Sequence, residues 1–183
     1  MKILPFLLCC FLVVPRLAAQ EHIYELGRGS IQFHSDAPQE LIRASSDQLT
    51  GIVDIEKKSF VFRISIASFL GFNSPLQREH FNENYMETDI YPTAMFSGKI
   101  IEDVDFSKDG EFEVRAKGKL VIHGIAQQRI IKCHVSCKKG KVKVESDFIV
   151  LLADHNIKIP RIVYDKLSPE IQVSMIATLM PKK

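Results

Sequence analysis

Residues 111–123 constrain the fold more than any other stretch of the chain. Phe112, Val114, Ala116, Gly118, Leu120 and Ile122 alternate with Glu111, Glu113, Arg115, Lys117, Lys119, Val121 and His123. Alternation with period two sends one set to each face of a strand. One face is apolar and often small; the other is almost wholly charged. A strand covered on both sides cannot hold that row of charges, so its second face meets water, as antiparallel sheets allow.

The same period recurs along the chain. Ile31 and Phe33 share a face before the break Ser35-Asp36-Ala37-Pro38. Gly51 to Ile55 reads as a strand and turns through Glu56-Lys57-Lys58 into Phe60, Phe62, Ile64 and Ile66, which alternate with Val61, Arg63, Ser65 and Ala67. Further one-sided sets are Ala94, Phe96, Gly98 and Ile100, then Ile131, Cys133, Val135 and Cys137, then Val142, Val144 and Phe148. The last is Ile171, Val173, Met175, Ala177 and Leu179. Turns are expected at Asp105 to Gly110, where Asp-Gly tolerates positive φ, at Gly124 to Gln128, and at Lys138-Lys139-Gly140. Gln39 to Asp47 reads as a short helix or an irregular cover.

Two segments are expected to be helical. Ser74 caps the first, Pro75 takes its first position, Gln77 completes a capping box, and the helix runs to Met86. Pro160 to Leu167 forms one or two turns, with Ile162, Val163 and Leu167 directed inwards. The fold class is therefore all-β, with about eight to ten antiparallel strands and one or two short helices. A barrel and a sandwich both satisfy one buried face per strand. Long strands, and an inner face mixing large residues with Ala94, Ala116 and Gly118, favour the barrel. About eight strands can enclose one small ligand.

The first twenty residues are expected to leave. Met1-Lys2 precedes an apolar run from Ile3 to Val14, and Leu17-Ala18-Ala19 offers cleavage after Ala19 or Gln20. The run is too short to span a bilayer comfortably, which takes about 20 apolar residues. A lipoprotein anchor on Cys9 or Cys10 is the alternative, although neither follows a complete apolar segment. Residues 1–20 are thus assigned to a signal peptide and 21–183 to one exported domain. Removing Lys2 and Arg16 equalises basic and acidic residues. A neutral domain gives no support to nucleic-acid or anionic-membrane binding.

Cys133 and Cys137 lie on one expected strand, roughly 13 Å apart at 3.3 Å per residue. That is too far for a disulfide or for one zinc ion, and they read as small core residues. The histidines show no metal-binding spacing: His22 sits near the N-terminus, His34 faces water, His123 falls on the charged face or in a turn, and His134 on a polar face. Asp154-His155-Asn156 resembles catalytic material, but neighbours on a strand point apart, so it reads as a polar strand end. No nucleophile elbow, Walker loop or dinucleotide fingerprint is present. No catalytic residue, metal or cofactor is expected.

The helix from Pro75 sets Arg78, Glu79, His80, Asn82, Glu83 and Asn84 beside Leu76, Phe81, Tyr85 and Met86. It is either a solvated crossover or a lid. As a lid it would lay Phe81 and Tyr85 on a bound chain, with Arg78, His80 or Asn82 near a polar head.

Strand, polar helical insert, Tyr91-Pro92-Thr93-Ala94-Met95-Phe96 and a new strand follow in an order that resembles the YceI family of secreted lipid-binding barrels. Leu120-Val121-Ile122-His123-Gly124 is similar to that family's strand ending in Leu-x-Ile-His-Gly, and Phe148 to Pro160 to its late strand-to-helix passage. The insert departs from the common form, which has an Arg-Asp pair before His-Leu and Phe-Phe-Asp after it. The resemblance implies a periplasmic, extended lipocalin-like barrel holding one long apolar chain, a polyisoprenoid or a fatty-acid derivative. Its lumen would be lined by Phe33, Phe60, Phe62, Ile64, Ile66, Phe96, Phe112, Val114, Leu120, Val144, Phe148 and Val173, with Phe62, Ile64, Phe112 and Val114 at the middle. From the residues alone, an ordinary filled core is the equal alternative.

The expected function is that of a non-catalytic carrier with a long-chain lipid as partner, no nucleic acid and no stable membrane anchor. The oligomeric state is open, a homodimer included. An enzyme using His80 or His155 as acid-base group, and a structural or stress-response protein with a filled barrel, are the competing classes. The mature protein in a periplasmic extract should have the mass of a chain starting at Gln20 or Glu21. An intact N-terminus on cytosolic protein would overturn the export reading.

Overall fold

Nine strands hydrogen-bond into one antiparallel sheet that closes on itself in the computed structural model, which describes residues 23–182. The expected signal segment 1–20 and His22 lie outside the described residues. The strands are β1 Ile23–Asp36, β2 Leu41–Ser46, β3 Thr50–Asp54, β4 Ser59–Ser65 and β5 Thr93–Ile100. They continue as β6 Gly110–Ile122, β7 Ile125–Lys138, β8 Lys141–Leu151 and β9 Glu170–Pro181. Along one side of β1, β3 pairs with Ile23 to Glu25 and β2 with Ile31 to Asp36. The two therefore act as one interrupted strand, and the wall is an eight-stranded barrel. Pairing of β1 with β9, from Tyr24 with Pro181 to Ser35 with Ile171, closes it. The sandwich alternative ends there.

Inward and outward positions follow the alternation. On β6, Glu111, Glu113, Arg115, Lys117 and Lys119 are exposed, whereas Val114, Ala116, Gly118 and Leu120 are buried. Four expectations need correction. Gln39 to Asp47 is neither helix nor loose cover, because β1 offers Leu41–Ser46 a free ladder, and tertiary pairing overrides weak local preference. The turn after β6 is only His123-Gly124, at φ 51° and 72°, a tight hairpin of the primed kind. The loop before β6 begins at Ile101, and Phe106 folds from it into the barrel end, 6.4 Å from Phe112. Ile162 points outwards and is 91 % exposed. Lys166 and Leu167 donate backbone hydrogen bonds to the Val163 carbonyl, so Val163 and Leu167 turn in and Ile162 turns away.

The helical insert starts as expected. In α1, Pro75–His80, Ser74 Oγ accepts from the Gln77 amide at 3.1 Å. Gln77 Oε1 accepts from the Asn73 amide, one residue before the cap, at 3.0 Å. The chain continues as a wider π turn over Phe81–Tyr85. Asp154 and His155 belong to a 3-10 turn, Leu152–His155, rather than to a strand end. His155 is 1 % exposed and its Nδ1 donates to the Ile125 carbonyl at 3.1 Å. Asn156, at φ 55°, ends the turn. Cys133 and Cys137 are buried free thiols, and burial pushes both pKa values up.

Wall curvature depends on a glycine pair. Gly98 and Gly118 are direct partners on β5 and β6. A Cβ on Gly118 would meet the Ser97 carbonyl carbon at 2.8 Å, and one on Gly98 would meet that of Lys117 at 2.8 Å. Such close backbone approach marks a bend at a barrel corner.

Gly118→Ala should therefore lower stability by about 1–3 kcal/mol or more, since the clash is with backbone. An unchanged denaturant midpoint would contradict it. His155 gives a pH-dependent prediction. Burial is the largest cause that lowers its pKa below the ordinary 6.5, so the unfolded chain takes up this proton first. Stability should fall as pH drops below 6.5, by up to about 1.4 kcal/mol per pH unit until the lowered folded value is passed. Exposed His134, raised by its hydrogen bond to Glu113, acts in the opposite sense. Denaturant unfolding of the parent and His155→Gln at pH 7.5 and 5 should show the variant less stable at the higher pH but losing less on acidification.

Candidate functional site

A cavity of about 550 Å³ opens inside the barrel beneath the insert. Side chains of seven strands form its wall, and Phe81, Tyr85 and Met86 of the insert roof it. Leu152, Ile157, Val163 and Leu167, from the turns between β8 and β9, complete the cover. Phe33, Phe62, Ile64, Ile66, Phe81, Tyr85, Phe96, Leu120, Phe148 and Val173 all border it. Burial pushes the Tyr85 hydroxyl pKa up.

Four residues assigned to the lumen from sequence do not border the large cavity. Phe60, Val114 and Val144 border a second, apolar cavity of about 80 Å³, and Phe112 borders neither. Of the four expected at the middle, Phe62 and Ile64 reach the large cavity, whereas Val114 borders only the smaller one and Phe112 packs against Phe106. The physical reason is strand length. Inward residues on β6 run from one barrel end to the other, and period-two patterning gives the face but not the level.

Sequence reading missed Leu49, Phe69, Phe72, Met86 and Met175, which also border the large cavity. Phe33, Phe69, Phe72 and Phe81 form one aromatic cluster under the insert. Centroids lie 5.2 Å apart for Phe33–Phe69, 5.4 Å for Phe33–Phe81 and 5.0 Å for Phe72–Phe81. The available signal was the aromatic content of Phe69-Leu70-Gly71-Phe72 beside the helix cap, although it has no strand period.

The three head-group candidates separate. His80 borders the cavity; Arg78 and Asn82 do not. Arg78 Nη2 donates to the Ala67 carbonyl at 2.9 Å, and Asn82 Nδ2 to the Arg78 carbonyl at 3.0 Å. Both hold the insert in place, and Arg78 Nε and Asn82 Oδ1 are buried without hydrogen-bond partners among the described residues. Polar groups that do border the cavity include Glu40, Gln77, His80 and Lys166. Glu40 Oε1 accepts from Gln77 Nε2 at 2.9 Å and from Asn73 Nδ2 at 3.1 Å, tying α1 to the start of β2.

The other end of the insert is held at the β6–β7 hairpin. His123 Nε2 lies 2.6 Å from Glu87 Oε2 and its Nδ1 lies 3.0 Å from the His155 carbonyl. Tyr91 packs edge-on against the His123 ring, with centroids 4.6 Å apart. Gly124 belongs to the same contact, since a Cβ there would meet Tyr91 Cδ1 at 2.9 Å. His155 is occupied beneath this joint and does not border the cavity. No group of three His, Cys, Asp or Glu side chains placed to hold a metal ion occurs among the described residues. No described helix is long and apolar enough to cross a membrane.

A mainly apolar cavity of this size falls in the range of small-molecule sites, about 300–1,000 Å³. Its walls favour hydrocarbon, since each buried CH₂ contributes about 0.8 kcal/mol.

Several solved structures share this architecture. A polyisoprenoid binding domain from Saccharophagus degradans superposes with a TM-score of 0.74 at 15% identity, covering 87% of this chain and 98% of that one. BcnA of Burkholderia cenocepacia gives 0.68 at 14% identity, covering 82% and 95%. The Campylobacter jejuni YCEI protein gives 0.54 at 17% identity, covering 100% and 99%. At these identities the likeness is one of fold. No curated protein sequence matches the chain. The family model described as the YceI-like domain matches residues 28–179, from within β1 into β9, and the chain belongs to that family.

Proposed function

We propose that this protein is a non-catalytic carrier that holds one long-chain lipid, an isoprenoid or a fatty-acid derivative, in the large cavity. The observation that carries the reading is a cavity of about 550 Å³ with a mainly apolar wall inside a closed barrel. Polar residues such as Gln77, His80 and Lys166 border it from the insert and the late turn, where a head group would lie. The fold shared with a polyisoprenoid binding domain supports the same ligand class. Export to the periplasm is part of the proposal and rests on the N-terminal pattern of Met1 to Gln20.

Two measurements test it. Protein purified from its own host, sprayed intact in native mass spectrometry and then extracted with organic solvent, should release one long-chain molecule per chain. Repeated recovery of empty protein that also takes up no such lipid would remove the carrier reading. Ala94 is a small residue on the cavity wall. Ala94→Phe should occupy the space meant for ligand and abolish binding. Because it fills space, it should cost less stability than the roughly 1–3 kcal/mol typical of overpacking a full core, read from denaturant unfolding. A folded Ala94→Phe variant that binds lipid like the parent would place the ligand elsewhere.

A further inference from the structure

The two cavities are neighbours that share four side chains. Phe62, Phe96, Phe148 and Met175 border both the large space and the smaller one of about 80 Å³ below it. They come from two places on the barrel wall. Phe62 and Phe96 are direct partners on β4 and β5, while Phe148 and Met175 stand on the adjacent strands β8 and β9. In the closed strand order these two pairs face each other across the lumen. We propose that the lower cavity is a second subsite, for the far end of a long hydrocarbon chain, and that these four side chains set the length of chain admitted. This deepens the carrier reading and rests on it.

The lower space has the character such a subsite needs. Its lining is apolar apart from Ser146 and the Tyr24 hydroxyl, and Phe106 stands at its base among the filled-end residues. A small apolar cavity of this kind stays dry and accepts apolar groups. The size of the side chains above it sets the constriction. Gly51 is the cross-strand partner of Phe62, and a Cβ on Gly51 would meet Phe62 Cε1 at 2.6 Å. The Phe62 ring therefore rests on the wall in space that only glycine at position 51 leaves free. Met175 is unbranched and adaptable, the usual property of methionine in irregular core gaps. A chain that ends in the upper cavity leaves the ring undisturbed. A longer chain must push these groups aside, so its last methylenes gain less than the first.

The test uses the full chain, delipidated and offered an equimolar mixture of linear saturated fatty acids from decanoic to tetracosanoic acid. Bound acids are then extracted and quantified by mass spectrometry. The parent should show a length beyond which uptake falls. Phe62→Ala should move that limit to longer chains, with roughly tenfold enrichment for every two further methylenes buried. Met175→Ala should move it in the same direction, and serves if Phe62→Ala does not fold. Val114 borders only the lower cavity. Val114→Phe added to Phe62→Ala should return the limit to the parental length or below it. Folded Phe62→Ala and Met175→Ala proteins with the parental profile would overturn the subsite and leave the carrier reading intact. A parent that takes up none of the acids, nor the isoprenoid alcohol farnesol, would overturn both.

Discussion

The hydrogen-bonded seam between β1 and β9 is the interaction on which the rest of the molecule depends. It runs from Tyr24–Pro181 to Ser35–Ile171 and joins the two ends of the described chain. Closure pairs the first strand with the last and leaves the short β2 as the one described strand with an open side, bridged there by Ser45 and Leu70. It also fixes the radius: eight strands give an interior just wide enough for side chains, or for one small ligand if some are withheld. Residues such as Gly51, Ala94 and Ala177 on the inner face then decide where the interior is full and where it is open. Without the seam, their small size would leave an ordinary gap in a flat sheet.

The two ends of the barrel are finished differently. At one, Phe106 returns from the loop before β6 and packs with Phe112, beside Tyr24, Phe60 and Val114. At the other, cover comes from the insert and the turns after β8, which leave space below them. Polar side chains of the insert serve largely to hold that cover. Arg78 binds the Ala67 carbonyl, Glu87 meets His123, and Glu40 meets Gln77. Asn82 Nδ2 adds a bond to the Arg78 carbonyl within the insert. The cover is thus anchored to the barrel at both of its ends.

The His-Gly and Asp-His-Asn motifs take their meaning from this joint. His123 occupies a left-handed turn position, packs under Tyr91 and reaches Glu87; the 3-10 turn bearing His155 supplies the carbonyl that its Nδ1 meets. Residues that look catalytic in a linear sequence are here the fastening between barrel and cover. Their pattern is local in the chain, but the contact they make is not: Glu87 and His123 stand 36 residues apart.

Much of the fold was legible because charge and period are local physics. The row of charges opposite Val114, Ala116 and Leu120 required a one-sided strand, and repetition of that pattern required a sheet with one wet face. Ser74, Pro75 and Gln77 likewise marked the helix start from short-range hydrogen bonding. What the sequence could not supply was position along the barrel axis. Alternation says that Phe62 and Phe112 face inwards, but the level of each depends on strand register, set by hydrogen bonds between distant segments. The direction of Ile162, the return of Phe106 and the strand at Leu41–Ser46 depended equally on partners remote in the chain. The sequence by itself determined an antiparallel sheet, its inner face and its capped insert. Only tertiary structure decided that the sheet closes, that one end is packed down to a small cavity, and that the other holds a large one, because volume inside a barrel belongs to all its strands together.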